Sequence, residues 1–392
     1  MSPSKKRKKR KKKMATEQTL ARLVSYPTVS DRPLTALAAY LAERSEALGM
    51  TVEVFETSPG KHNVVARAGP EGTDGLALCG HMDVVPVEGQ AWSSDPFTLT
   101  ARDGALYGRG ACDMKGFIAA AVEAVGRLPL DRLRRELLFI WTHDEEVGGM
   151  GSAALAGQLA GRRLPTATWI GEPTGFRVCR FHPGHLAVRI RCTGRAAHSS
   201  RPELGLNAIQ LAAHAIVALE ALADALTHER VDLPGLERPW TVMNTGCIHG
   251  GAAINIVPEH CDVLVGLRPP PGADSARLLV RIQQTLAPLA ARARDQGGDI
   301  VASHEHELPA LLTPADTVLE HLLRPHADRP ETVGMPFGTD AGNLTALGAA
   351  PLIFGPGSID VAHRPDEHIS IPELHRATDL IAQVARARCL DP

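Results

Sequence analysis

Four short apolar runs, each ending near a histidine or an acidic residue, constrain the fold of this chain more than any other feature. LALCG at 76–80 runs into His81 and Asp83, and LLFIWT at 137–142 runs into Asp144, Glu145 and Glu146. TATWIG at 166–171 ends at Glu172, and PLIFG at 351–355 precedes a loop that contains His363. Runs so short and so continuously apolar are expected as strands buried on both faces, the habit of parallel sheets covered by helices. Loops at the carboxyl edge of such a sheet converge above a rigid platform, so polar groups placed there are expected to share a site. An α/β fold with a mostly parallel sheet follows. Helices are expected at 17–25, at 33–48 and from Lys115 onward, with further strands at 51–57 and 63–68.

The middle of the chain has a different rhythm. Strands are expected at 185–192, 241–246, 260–267 and 299–305, and helices at 207–222 and 275–291. This pattern predicts an inserted α+β module over residues 184–296, between segments 14–183 and 297–392 that share the larger sheet. Such a module can close over a cleft or provide a dimer surface.

Net charge hides an asymmetry. Residues 5–13 read KKRKKRKKK, and without those nine cations 33 basic residues face 44 acidic ones. The arm 1–13 is expected to be disordered or a start artefact, because like charges repel and nothing apolar is there to bury. Non-specific nucleic-acid contact is expected of residues 5–13 at most, and four Trp with three Tyr make no aromatic platform for bases. No run of about 18 apolar residues stands out, so no membrane span is expected. Seven scattered cysteines without a CxxC pair favour reduced thiols in the cytoplasm over a disulfide framework.

His81, Asp113, Glu146, Glu172 and His363 are the candidate metal ligands. Each alone is weak evidence, since a single acid is ordinarily a solvated surface group. Imidazole with carboxylate suits Zn or Co, whereas an all-oxygen calcium site would not call for two histidines. Five ligands serve two ions only if one is shared, and Asp113 can bridge with its two oxygens. GRGACDMKG lacks the spacing of a phosphate-binding P-loop, and no GxSxG accompanies the serines at 199 and 200. Cys112 is expected as a small buried side chain supporting its loop.

The strings CGHMDVVPV, LYGRGACDMKGF, THDEEVGGMGS, GEPTG, FGTDAGNL and FGPGSIDVAHRPDEHI resemble, in order, the M20 metallopeptidase family. The resemblance runs from about residue 17 to residue 385. It implies a di-metal hydrolase domain with an inserted lid or dimerisation domain. It implies two divalent ions, one on His81, Asp113 and Glu172, the other on Asp113, Glu146 and His363. Asp83 matches the acid that orients the metal-binding histidine, and Glu145 matches the general base. His198 matches a histidine near the oxyanion that often enters from the partner subunit of a homodimer. Asn255 and Arg268 resemble lid-side contacts to the substrate and its carboxylate, with Gly338 and Thr339 on the opposing wall. The implied substrate is a small N-acylated amino acid, most like N-acetylornithine. N-succinyl-diaminopimelate, other N-acyl amino acids and dipeptides stay open, as does a silent binding protein without turnover.

Overall fold

Unbroken apolarity and alternation mark two different kinds of strand in this chain, and each kind builds its own unit. A computed structural model describes residues 3–391, with side chains from residue 14 onward. Two units emerge, one of residues 1–180, 313–333 and 339–392, the other of residues 181–312 and 334–338.

In the first unit, Leu76–His81 and Leu137–Thr142 are buried at every position. They lie side by side in parallel, with His81 opposite Thr142. Ala167–Ile170 pairs in parallel with Leu76–His81 on one side and Ala350–Ile353 on the other. Lys61–Ala68 and then Thr51–Ser58 extend the opposite edge antiparallel. The four apolar runs are therefore the four parallel strands of a mostly parallel sheet. Covering both faces is what allows them to be almost continuously apolar, with Thr168 the one polar residue inside and His81 and Thr142 at the ends.

The helix Lys115–Val125 explains part of that cover, for ten of its eleven residues are buried. It packs against the helices Ile371–Cys389 and Pro3–Val24. Phe117 meets Trp169 at 5.8 Å between ring centroids, and Trp169 meets Phe354 at 5.9 Å. Each such side chain withdrawn from water contributes about 1.5–3 kcal/mol. A three-stranded sheet of Thr100–Arg102, Ala105–Tyr107 and His368–Ser370 is an element the apolar pattern did not announce. Its strands are three residues long, too short to show a period.

The basic arm departs from expectation. The first helix runs Pro3–Val24, so it takes in most of residues 1–13 instead of starting at residue 17. Lys and Arg are good helix formers, and no Gly or Pro interrupts residues 4–24, so the helix anchored by buried Leu20, Leu23 and Val24 has no reason to stop sooner. Residues 1 and 2 lie outside the described residues.

In the second unit, strands alternate. His185–Thr193 and His260–Arg268 bury every second residue. With Val242–Gly250 and Asp299–Leu308 they form a four-stranded antiparallel sheet. Ala208–Thr227 and Ser275–Asp295 pack on it and enclose the core around Leu186, Val188, Val263, Ile282 and Leu286. Asn207 starts the first of these helices by accepting the amides of Ile209 and Gln210. The module was expected to end at 296, but the unit extends to Leu312 and begins at Phe181. Asp299–Leu308 decides this, because it pairs along the length of His185–Thr193 and belongs to the alternating sheet.

Ala208–Thr227 is also long and apolar enough, by length and composition alone, to cross a membrane, contrary to the expectation that no such segment exists. Its buried residues, Ala208, Ala212, Ala215, Leu219, Leu222 and Leu226, recur at spacings of four and three. That is the stripe of a helix lying on a sheet.

Candidate metal centre

Parallel register brings the carboxyl ends of the central strands level, and the loops leaving them meet. His81 is the last residue of its strand, Glu145 and Glu146 follow Thr142, and Glu172 follows Ile170. Asp113 arrives from the loop before the helix Lys115–Val125, and His363 from the loop after Ala350–Ile353.

Asp113 lies between the two imidazoles. Its Oδ1 is 3.0 Å from His81 Nε2, and its Oδ2 is 3.4 Å from His363 Nε2. His363 Nε2 also lies 3.0 Å from Glu146 Oε2, and His81 Nε2 lies 4.0 Å from Glu172 Oε1. Among the described residues, ligand atoms of His81, Asp113 and Glu146 fall within 4.8 Å of one another. One carboxylate thus turns each of its oxygens to a different histidine.

Electrostatics suit the site to positive charge. Burial and the charge of Asp113 push Glu146 up to about 7. Burial and the charge of Glu172 raise Glu145 well above the usual carboxyl range, and burial with Asp113 does the same to Glu172. Burial works against charge on His81, yet the Asp113 hydrogen bond and the surrounding carboxylates outweigh it and raise its pKa. Hydrogen bonds to Asp113 and Glu146 lift His363 to about 10. Crowded buried carboxyls of this kind are relieved by divalent cations, and mixed imidazole and oxygen donors suit Zn or Co. The residues fit two such ions.

Asp83 is placed otherwise than expected. His81 Nδ1 donates to the backbone carbonyl of Asp83 at 3.0 Å, while the Asp83 carboxylate stands 3.7 Å away. That carboxylate accepts the amides of Glu145 and Glu146 and the Ser30 hydroxyl. Two residues after the histidine, the backbone carbonyl reaches the ring first, which frees the side chain to hold the neighbouring loop. The loop turns sharply because Gly148 has φ 113 and Gly149 φ 68, which side chains resist.

Several supporting residues stand inside the family strings, yet their bonds were not readable there. Asp340 accepts the hydroxyls of Thr142 and Ser152, bracing the strand end that leads to Glu145. Glu367 Oε1 accepts the amides of Cys112 and Asp113 at 2.9 and 3.0 Å, and its Oε2 receives Arg109 at 2.7 Å. Cys112 is buried beneath the loop. Thr339 is buried in the same unit, its hydroxyl accepting the Ala341 amide.

His198, Asn255, Arg268 and Gly338 belong to the second unit. His198 pairs with Ile256 across a two-residue ladder, and the Ser199 amide donates to the Asn255 carbonyl, so these two segments are neighbours. His198 Nδ1 contacts the Ser200 hydroxyl at 2.7 Å. Arg268 is not with them. It ends the strand that His260 begins, roughly 26 Å along at the usual rise per residue. There it lines a recess with Pro183, Leu236, Val242 and Pro336. Gly338 packs so closely on Leu308 that a side chain would collide with it.

Residues 77–387 match the sequence model of peptidase family M20/M25/M40. The chain belongs to that family. As a family M20 member it is a di-metal amidohydrolase, with the cluster around Asp113 as its candidate metal centre. A Proteus mirabilis protein named acetylornithine deacetylase is 37% identical over 380 residues, covering 94% of this chain and 95% of its own length. A Myxococcus xanthus protein of the same name is 36% identical, covering 96% and 98%. The fold is shared with a tripeptidase from Staphylococcus aureus at TM-score 0.73 and 20% identity, over 96% of this chain and 98% of that one.

Proposed function

We propose that this M20 amidohydrolase hydrolyses the amide bond of N-acetyl-L-ornithine, giving L-ornithine and acetate. The observation that carries the reaction is Asp113 between His81 and His363, with Glu146 and Glu172 beside it and the half-buried Glu145 next along the same loop. The substrate reading is supported by relatives named acetylornithine deacetylase that match nearly the whole chain.

His81, Asp113 and Glu172 would hold one divalent ion, zinc or cobalt, and Asp113, Glu146 and His363 the other, and such ions would acidify a water and polarise the acyl carbonyl. Glu145 accepts a proton from the attacking water. Its raised pKa suits a group that must take up a proton and return it. As the tetrahedral carbon collapses, Glu145 gives the proton to the leaving nitrogen, and the amine departs from the new carboxylate. His198 donates to the oxygen on which negative charge develops. Arg268 offers its planar fork to the amino-acid carboxylate, with Asn255, Gly338 and Thr339 as further contacts.

The second unit acts in this reading as lid and dimerisation domain. A homodimer in which two chains contribute to each substrate belongs to the same reading, with Arg268 at the far end of the strand that His260 begins. A cytoplasmic enzyme is consistent with seven free cysteines.

The test is a panel of N-acetylornithine, N-succinyl-diaminopimelate, neutral N-acetyl amino acids and dipeptides on zinc- or cobalt-loaded protein, with products separated chromatographically. Fastest release of ornithine is expected. A preference for another acyl donor would replace the substrate, and binding without release of any amine would make the chain a binding protein.

A further inference from the structure

His363 is the least sheltered member of the metal cluster, 48% exposed where His81 is 1%. Its backbone is also unusual. His363 and Asp366 both adopt left-handed conformations, φ 61 and φ 57, which residues with a side chain avoid. A loop carrying two such residues needs anchors from outside itself.

Those anchors come from residues 89–93. Gln90 Nε2 donates to the His363 carbonyl at 3.0 Å. Gln90 Oε1 accepts Arg109 at 2.6 Å and the Trp92 indole at 3.1 Å, so two donors on one side and a carbonyl on the other fix the amide's orientation. Ser93 completes the hold, its amide and hydroxyl both donating to Asp366 Oδ1 at 3.0 and 2.9 Å. Arg109, in turn, is the buried partner of Glu367, which grips the Asp113 backbone. Glu367 holds the Asp113 backbone directly and Gln90 holds that of His363 directly, with Arg109 joining the two through its bonds to both side chains.

We propose that residues 89–93 form a clasp whose Gln90 is the positioning residue for His363, so that this loop sets the hold on one of the two metal ions and not on the other. The proposal rests on the two-ion reading of the cluster. Loss of a partner that orients a ligand weakens metal affinity about 10–100-fold. Gln90 touches His363 alone among the five cluster residues in its recorded bonds, so the effect falls on the Glu146–His363 side.

The experiment loads full-length protein with zinc, dialyses it against graded chelator and counts the metal retained. Wild-type protein is expected to hold two equivalents. In Gln90→Leu, one equivalent leaves at about tenfold lower chelator and the other is kept as in wild type. Gln90→Glu keeps the acceptor for Arg109 and Trp92 but turns an acceptor toward the His363 carbonyl, so it loses the same equivalent. Ser93→Ala weakens the second anchor and shifts that equivalent in the same direction. In His363→Ala that ion is already weak, and adding Gln90→Leu changes nothing further. Release of both equivalents together, unchanged release in Gln90→Glu, or an added effect on top of His363→Ala would overturn the clasp. Melting temperatures show whether each variant is folded, and Gln90→Glu and Ser93→Ala carry the test if Gln90→Leu is not. Wild-type protein that fails to hold two ions would defeat the two-ion reading itself.

Discussion

The Asp83 carboxylate accepts the backbone N–H of Glu145 at 3.2 Å. Its second oxygen accepts the next amide, that of Glu146, at 3.3 Å. Asp83 is fully buried and fixes the turn from which the two acids diverge. Replacing it by Ala leaves two amides and the Ser30 hydroxyl without an acceptor, at a cost of about 2–4 kcal/mol. Asp83→Asn, which keeps one acceptor oxygen, should cost less. Urea unfolding of the metal-loaded variants measures both, and equal stability of Asp83→Ala and wild type would contradict the assignment.

Glu145 lies beside the cluster but is absent from the contacts joining Asp113 to His81 and His363. Glu145→Gln should therefore retain two equivalents of metal while kcat falls about 10²–10⁴-fold. Metal content measured beside the hydrolysis rate separates the two effects. Near-normal turnover would remove Glu145 from the proton-transfer role.

Metal binding should release protons. In the metal-free cluster hydrogen bonds to Asp113 and Glu146 lift His363 to about 10, so its imidazole is protonated near neutral pH. A metal ion takes only the neutral ring. Apparent affinity should then rise with pH through the neutral range and level off as pH approaches about 10. Calorimetric titration in two buffers of different ionisation enthalpy counts the protons, and a count of zero would refute the prediction.

His182 makes the second unit sensitive to acid. Burial, then the charge of Arg268, depress it to about 4 from the usual value of 6.5. Above about pH 6.5 it is neutral whether folded or unfolded. As pH falls from there toward 4, the unfolded chain takes up a proton that the folded one refuses, and stability declines by up to about 3 kcal/mol. His182→Gln should flatten that decline in a series of denaturation curves, whatever it does to absolute stability.

Deleting residues 1–13 should leave hydrolysis and melting temperature near those of the full chain, because Thr16, Leu20, Leu23 and Val24, which bury the first helix, all lie beyond the cut. Any salt-sensitive association with nucleic acid should disappear with the arm. Leu23→Ala, by contrast, opens a cavity in the core and should cost about 2–5 kcal/mol by thermal or urea unfolding.

The apolar runs at 76–80, 137–142, 166–171 and 351–355 were readable as strands because a strand covered on both faces must be apolar whatever it pairs with. His81 and Glu172 were readable with them, since each sits within two residues of a strand end. The inserted module's far boundary was not. The strand near 299–305 reads in the rhythm of the middle of the chain, yet the expected border stands before it at 296, and its pairing with His185–Thr193 places it inside the second unit. Gln90 gave no pattern either, being a single polar residue in a loop, and Asp340 and Glu367 stood in family strings without showing which groups they bond.

Sequence by itself determined which strands this chain can bury and which polar residues stand just past their ends. Burial and alternation are properties of neighbours along the chain, and neighbours leave a period. Tertiary structure alone decided that Asp113 turns one oxygen to each histidine, that Asp83 holds amides in place of an imidazole, and that Gln90 ties down His363 across 273 positions. A hydrogen bond is fixed by distance and direction in space, so partners brought together only by folding leave no mark in the spacing of residues.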